Sequence, residues 1–539
     1  MNNKETVNIL WFRNGLRLHD NESLLKATED KSAKLLPMFI FDGETPTTKY
    51  CRFNKISFLL ECLEDLDTQL WYHGGKLNLV EGEPVEVIKV ISKHLTVSRL
   101  CFDQDSEAIW QDRDGAVKTF CRSQGIEVVE SIGQSLWDPH HIISANGGTP
   151  PLTYNHFCHI TESIGPPKRP IGSVDLSDVE IIELENYPVI LSSLTVFPQT
   201  PTPQMLGIER EGAEEKVYKG GERLALKYLD RRVKWEKESF LQRSFLPNRR
   251  EPDILNPPKS LSPDLKFGCI SVRKFYWAVM DAWDEVNEND PPGSYTIVSQ
   301  LIWREFFYAM SANNIHYGEM ERNPICINIP WYDNEEHLKA FLSGNTGYPF
   351  IDAGIRQTRK EGWTHHIVRN ALSMFLTRGD LWLNWEHGLK FFLNYMIDAD
   401  WAVCAGNWMW VSSSAFEKAL NTGFRLDPSK YGRRVDPDGD YIKKYIPELS
   451  KMPVEFIYEP WRASSKVQRE ACCVVGVDYP LPIVNHTEVS LRNRGMMEEL
   501  QGTLLKKCDM EPEHLKPSDE TEVNSFFQIP EISTTLELK

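Results

Sequence analysis

Residues 363–417 gather side chains that could grip a charged ligand and pass electrons. The stretch carries Trp363, Trp382, Trp385, Trp401, Trp408 and Trp410, with His365, His366, Arg369, Asp398, Asp400 and Cys404 among them. Apolar residues recur at Trp363, Ile367, Val368, Ala371, Leu372, Phe375 and Leu376, which is helical spacing. A second helix reads from Trp385 through Leu389, Phe392, Leu393 and Met396 to Ile397. Both are apolar enough to be core, so the acids beside them need partners: buried charge is costly unless it is paired or hydrogen-bonded to a ligand. Composition alone also fits a tryptophan-rich core with a few capped charges.

The remaining elements must position this segment. Short apolar runs at Val7–Trp11, Lys34–Phe41, Leu77–Glu81, Leu100–Asp103 and Glu127–Glu130 read as strands. Helical stretches such as Asn54–Leu70, Glu83–His94 and Asp105–Ser123 separate them, which argues a parallel α/β domain over residues 1–138. Neither nucleotide-loop signature, G-x-G-x-x-G or G-x-x-x-x-G-K-[ST], occurs in it. Residues 139–215 form a connector whose later part is Pro-rich and weakly periodic (GPPKRP, FPQTPTPQ). His156 and His159, with Cys158 between them, lack the second ligand cluster that zinc requires. Residues 216–508 read as all-α, with helices over Gly221–Gln242, Lys274–Asp284, Ile297–Ala312, 335–343, 349–361 and 485–507. The last stretch, 509–539, sets eight acids against Lys516 and Lys539 and reads as a tail.

The chain has 539 residues, enough for two or three domains. Its 60 Lys and Arg stand against 77 Asp and Glu, so the general basic footprint of a nucleic-acid binder is absent. Eleven cysteines without a C-x-x-C pair suggest free thiols in a reducing compartment. MNNKETVNILWF lacks the apolar run of a signal peptide, and no uninterrupted apolar stretch is long enough to span a membrane. In Lys259–Ser271, Ser262 suits an N-cap, Pro263 the first helical position and Asp264 the first turn.

D-A-D-W-x-x-x-A-G-N-W-M-W, with T-G-Y-P-F-I-D-A-G-I-R-Q and G-W-x-H-H upstream, resembles the flavin-binding core of the photolyase/cryptochrome family. The similarity runs from about Val7 to about residue 510, and within the family it points to the insect light-sensing (Drosophila-type, type I) cryptochromes. It implies a Rossmann-like α/β domain, a long connector, a large all-α FAD-binding domain and a short regulatory tail. One FAD per chain, held non-covalently, is implied as cofactor. WFRNGLRLHDN resembles the family's N-terminal signature, in which Arg13 and Asp20 read as structural. Some members carry a pterin or deazaflavin antenna in this domain; no residue here demands one.

The resemblance also implies roles. Ser260 and Ser262, in S-x-L-S-P-x-L, would touch the FAD diphosphate or ribose, and Arg232 matches an arginine on the same cofactor. QLIWREFFY is similar to the helix under the flavin, with Gln300 and Trp303 as contacts. Arg369 and Asp398 would flank the isoalloxazine as a charge pair, and Asp400 would accept from the flavin N3–H. Asn407 is a second contact after the aspartates, and His366 lies near the ring. Cys404 stands where DNA-repairing relatives carry asparagine beside N5, and a thiol is a poor hydrogen-bonding group. The match at this position implies an anionic flavin radical as the light-formed state. Trp408, Trp385 and Trp331 match an electron-carrying chain, and Trp382, three residues before Trp385, would extend it along one helix face.

The resemblance implies a blue-light photoreceptor of the circadian clock rather than an enzyme. Gln300 replaces the glutamate of dimer photolyases, and Asn370 replaces the second histidine that (6–4) repair needs after His366. DNA photolyase and a light-independent transcriptional repressor of the vertebrate cryptochrome kind are the alternatives. Implied partners are the clock protein Timeless, Period as a further clock partner, and an F-box ubiquitin-ligase adaptor. The protein is expected to be a monomer in cytoplasm and nucleus, with weak or no DNA binding. In the tail, Ser518 would start a helix carrying Phe526 and Phe527 as a lid near His366, with Gln528 where the Drosophila-type pattern has a third aromatic.

Overall fold

The computed structural model describes residues 4–43, 51–105, 107–212, 214–241, 253–255, 258, 260–287, 297–416 and 426–507. The expected tail lid with Phe526 and Phe527 lies outside them. A sheet of order β5-β4-β1-β2-β3-β6 forms the first layer system. Its strands are β1 (Thr6–Phe12), β2 (Lys34–Phe41), β3 (Asn78–Glu81), β4 (Thr96–Asp103), β5 (Glu127–Ser131) and β6 (Thr195–Phe197). The first five pair in parallel, and β6 pairs antiparallel to β3. β1 and β2 are buried along nearly their whole length, as near-continuous apolar runs are when helices cover both faces.

The weakly periodic connector is more ordered than its sequence suggests. It contains β6 and helices at Pro139–Ala145 and Tyr154–Ile164. Buried Asn78 pins a further part of it, donating to Ile182 O (2.9 Å) and accepting from Leu184 N (2.7 Å). A three-residue edge strand has too few positions to show a period of two, and its pairing with β3 is non-local, so no local pattern announces it.

Helices make up most of the rest. Those that matter to the site are α1 (Phe53–Tyr72) of the α/β domain, then α2 (Glu222–Leu241), α3 (Ser262–Lys266), α4 (Val272–Asn287), α5 (Ile297–Ser311), α6 (Pro349–Glu361), α7 (His366–Met374), α8 (Trp385–Tyr395), α9 (Trp401–Val411) and α10 (His486–Lys507). α9 is apolar on nearly every face and is almost wholly buried, the pattern of a central helix. Among the described residues no helix is long and apolar enough to cross a membrane.

The loop after β1 joins the two domains. Gly15 N and Leu16 N both donate to Phe267 O (3.1 Å each), and Arg17 Nη1 donates to Gly268 O (2.9 Å). Asp20 accepts from Arg273 twice, Nε to Oδ2 and Nη2 to Oδ1, both at 3.0 Å, and both side chains are buried. Arg13 pairs within its own domain with Asp114 (2.6 Å) and lies over the Trp11 and Phe102 rings. Arg13 and Asp20 are thus structural residues. Burial alone would raise the Asp20 carboxyl, but Arg273 and the Ser271 hydroxyl hold it below the ordinary aspartate value.

Asp20→Ala removes the Nε and Nη2 partners of Arg273 and leaves Nη1 on Glu22 (3.0 Å) and Ile132 O (3.1 Å), so it should cost about 1–3 kcal/mol of stability in denaturant unfolding. Because the folded-state value is the lowered one, the wild-type contribution should be complete above about pH 4 and fade as pH falls further. The difference between variant and wild type should therefore shrink in acid.

Candidate functional site

A cavity of about 430 Å³ lies among α2, α3, α5, α7, α8 and α9. Its polar wall is built around Asp398. Asp398 Oδ2 accepts from Ser262 Oγ (2.6 Å) and from Arg369 Nη2 (2.8 Å), while buried Oδ1 has no protein partner. Arg369 is oriented in turn by its Nε, which donates to Thr364 O (2.8 Å). Ser262 does not cap α3: it is the first residue of the helix, Leu261 holds the cap position, and the hydroxyl is drawn to Asp398 instead. Ser260 Oγ donates to Ser262 Oγ (3.0 Å) and also lines the cavity. Arg232 reaches it from α2, its Nε on Glu236 (2.6 Å) and its guanidinium over Trp235.

Asp400, another lining residue, is the N-cap of α9 and accepts from Val403 N (3.1 Å) through Oδ1. Its Oδ2 accepts from the Tyr308 hydroxyl and lies 3.9 Å from Lys266 Nζ, so both oxygens already have protein partners. Burial alone would raise its carboxyl, but Lys266, Arg304 and Tyr308 outweigh that and keep it anionic. One turn into α9, the buried Cys404 thiol is pushed up to about 12 by burial and is neutral. Asn407 follows on the lining face, its amide donating to Val403 O (2.8 Å).

His365 caps α7 and accepts from Ile367 N (3.3 Å). Burial, with Arg369 nearby, pushes it down to about 4, so the ring is neutral. This cap is why α7 begins at His366 rather than at Trp363. His366 is exposed at the cavity, its ring 4.3 Å from that of His365, and Asn370 lines the wall one turn on. Gln300 and Trp303 line it from α5. Trp303 stacks between Tyr154 (centroids 3.7 Å apart) and Trp410 (4.5 Å).

Trp408 forms part of the wall, buried, with no partner for its indole N–H. Its ring rests on Gly388 of α8, where an added Cβ would lie 2.1 Å from Trp408 Cη2, so only glycine permits this approach. Trp385 starts α8 and is fully buried. Trp331 is half-buried, 5.0 Å from Trp382 between ring centroids. Trp382 is not on the face of α8: Asn384 caps that helix, and Trp382 precedes it at φ +54°, its indole donating to Pro330 O (3.0 Å). It therefore neighbours Trp331 rather than forming a helical pair with Trp385.

The structure adds Trp363, which lines the cavity, and Lys266 and Tyr308, which hold Asp400. In the sequence Trp363 is only an apolar position, and Lys266 and Tyr308 are only members of the motifs around Ser262 and Gln300. The donor set is consistent throughout. Hydroxyls, the guanidinia of Arg232, Arg304 and Arg369 and the carboxylates of Asp398 and Asp400 share the lining with flat apolar rings. Such a wall fits a large planar ligand with a polar, anionic arm.

Residues 297–499 match the family described as the FAD binding domain of DNA photolyase, and residues 8–171 the family described as DNA photolyase. The chain is 46% identical to Cryptochrome-1 of Aedes aegypti over 97% of its own length and 98% of that protein. It belongs to the photolyase/cryptochrome family. Cryptochrome-1 of Drosophila melanogaster is 44% identical over 98% of this chain and 99% of that one. Cryptochrome-2 of Gallus gallus is 40% identical over 91% and 82%. Among solved structures, a bacterial class III photolyase from Agrobacterium tumefaciens superposes with a TM-score of 0.72 at 26% identity, covering 93% of this chain and 99% of that one. The α/β sheet and helical domain are thus the family's architecture, and the second domain is its FAD-binding domain.

A neutral, buried Cys404 should resist alkylation. Treating the native protein with iodoacetamide at pH 8 should label exposed Cys472 and leave Cys404 unmodified by mass spectrometry until the fold is denatured. Early labelling of Cys404 would mean an open, ionised thiol.

Proposed function

We propose that the protein is a blue-light photoreceptor of the circadian clock that binds one FAD non-covalently in this cavity. The observation that carries the reading is a buried indole, Trp408, in the cavity wall. Trp408 lines the cavity and packs on the helix that Trp385 begins, and Trp331 with Trp382 forms a second pair of rings in contact. When bound, FAD supplies absorption of blue light and a site that takes up an electron. Everything else is the work of this chain. Trp408 would supply the electron, and Trp385, Trp331 and Trp382 would refill the hole in turn, because indole is oxidisable while the surrounding aliphatic and phenyl groups are far less so. Arg369 and Asp398 form a nearly neutral pair, so the cavity tolerates a polar ligand without an uncompensated buried charge. Ser260, Ser262 and Arg232, which line the cavity, would hold the ligand's anionic arm.

Lesion repair fits the wall less well. Asn370 cannot serve as the proton donor that a second histidine would provide, and Gln300 presents an amide rather than a carboxylate. Cys404 is a neutral thiol at the position where the family resemblance implies an asparagine in repairing relatives. The relatives named cryptochromes cover nearly the whole chain. On this reading the partners are those the family resemblance implies: Timeless and an F-box ubiquitin-ligase adaptor, bound in light, with Period as a further clock partner, in cytoplasm and nucleus.

The purified protein should show a flavin absorption band that blue light bleaches, and it should leave ultraviolet-damaged DNA unrepaired under the same light. Trp408→Phe should retain FAD while bleaching slows about tenfold or more, since phenyl keeps the packing and is much harder to oxidise. A variant that bleaches at the wild-type rate would refute the assigned row, and a preparation without FAD would refute the whole reading.

A further inference from the structure

The acidic loop between α8 and α9 is gripped from the other domain. Lys55, on α1 and 1% exposed, donates from Nζ to Leu393 O (3.0 Å) and Ala399 O (3.4 Å). Glu107, just after β4 and 2% exposed, accepts at Oε1 from Trp401 N (2.7 Å) and Ala402 N (3.3 Å). Its Oε2 accepts from Trp110 Nε1 (2.8 Å). Asp400 takes the next amide, Val403 N, so the first three N–H groups of α9 are satisfied by two carboxyl groups, and the α/β domain provides one of them.

Donor and acceptor match the helix ends. The Lys55 amine, pushed down to about 8 by burial, sits on carbonyls at the end of α8 and beyond it, and the Glu107 carboxyl, pushed up to about 8 by burial, accepts from free amides at the start of α9. Asp398 lies next to Ala399, which Lys55 holds, and Asp400 lies next to Trp401, which Glu107 holds. Cys404 is one turn further along α9. Simple docking of two domains needs no buried amine or carboxyl on this loop, since the Asp20–Arg273 pair and the backbone bonds around Phe267 already join them.

We propose that Lys55 and Glu107 are positioning residues of the flavin site: the α/β domain sets where Asp398, Asp400 and Cys404 stand against bound FAD. The proposal rests on the reading of the cavity as the FAD site. A hydrogen-bonding group held by backbone on both sides of two site aspartates fixes them more tightly than their own short loop could.

The test uses the full-length holoprotein with four variants. Lys55→Met and Glu107→Ala remove the grips, and Glu107→Gln keeps one oxygen for the α9 amides. Asp20→Asn weakens the domain junction without touching the loop. Two readouts are taken beside thermal stability: the FAD dissociation constant, and the vibrational fine structure of the flavin absorption band. Lys55→Met and Glu107→Ala should each weaken FAD binding about tenfold and change the band shape. Glu107→Gln should fall between them and wild type. Asp20→Asn should lose stability with affinity and band shape unchanged. Loss of stability in every variant, with wild-type affinity and band shape throughout, would reduce Lys55 and Glu107 to domain staples and overturn the proposal. If Glu107→Ala gives no folded protein, Glu107→Gln and Lys55→Met decide by the same two readouts. Wild-type protein that retains no FAD would overturn the cavity reading itself, a result separable from the others because it precedes any substitution.

Discussion

A carboxylate held out of water has to be answered at every lone pair, and Asp398 organises the site through that requirement. One of its oxygens draws in Ser262 from α3 and Arg369 from α7, segments far apart in sequence that would otherwise have no reason to meet at the loop after α8. Arg369 is pinned again by Thr364 O, and Thr364 Oγ1 donates to Gln357 Oε1 (2.8 Å) of α6. Gln357 is shared with the Tyr441 hydroxyl (2.7 Å) and donates to Glu361 (3.0 Å). A chain of satisfied polar groups therefore runs from the cavity wall into the centre of the helical domain. Such networks rigidify a core when every member is paired. Here the pairing is complete except at Asp398 Oδ1, which is buried without a protein partner.

The aromatic residues answer a different constraint. A buried indole is large, and the protein must leave space for it. Gly388 does so for Trp408, and the left-handed backbone at Trp382 turns that ring toward Trp331 before α8 begins. The outer pair is covered by α10, whose buried Met497 packs with Trp382 and Ile329. Asn493 of the same helix donates to Asp380 O (3.1 Å), and His486 at its start pairs with Asp380 Oδ1 (2.6 Å). The cavity end of the indoles is thus fixed by α8 and α9, and the outer end by the last described helix of the chain.

Much of this was legible in the sequence where the signal is local. Apolar runs marked the five parallel strands, and period-3.6 patterns marked helices such as Pro349–Glu361 and Glu335–Ser343 at their observed bounds. Motif residues 232, 260, 262, 300, 303, 366, 369, 398, 400, 404 and 407 all line one cavity, because the motifs record positions on helices that converge there. Legibility failed where a distant partner decides. Ser262 has the composition of a cap, yet a carboxylate 136 residues away competes for its hydroxyl and wins. Trp382 has the right spacing for a helical pair with Trp385, but Asn384 is the better cap and starts the helix after it. Nothing in the local sequence of Lys55 or Glu107 distinguishes them from surface charges. Only the docking of the two domains makes them buried hydrogen-bonding partners of the ends of α8 and α9.

That failure has a general physical root. A helix terminus presents free amides or carbonyls that any donor or acceptor of suitable geometry can satisfy, and sequence reveals only the candidates within a few residues. At α9 the local candidate, Asp400, satisfies a single amide, because its other oxygen is committed to Tyr308 and Lys266. The two amides before it need an acceptor from elsewhere, and the α/β domain is the one that delivers it. The division into a sheet domain and a helical domain is therefore a division of chain topology more than of the site. The start of the helix that carries Cys404, Asn407 and Trp408 is completed by a residue that precedes them by almost three hundred positions.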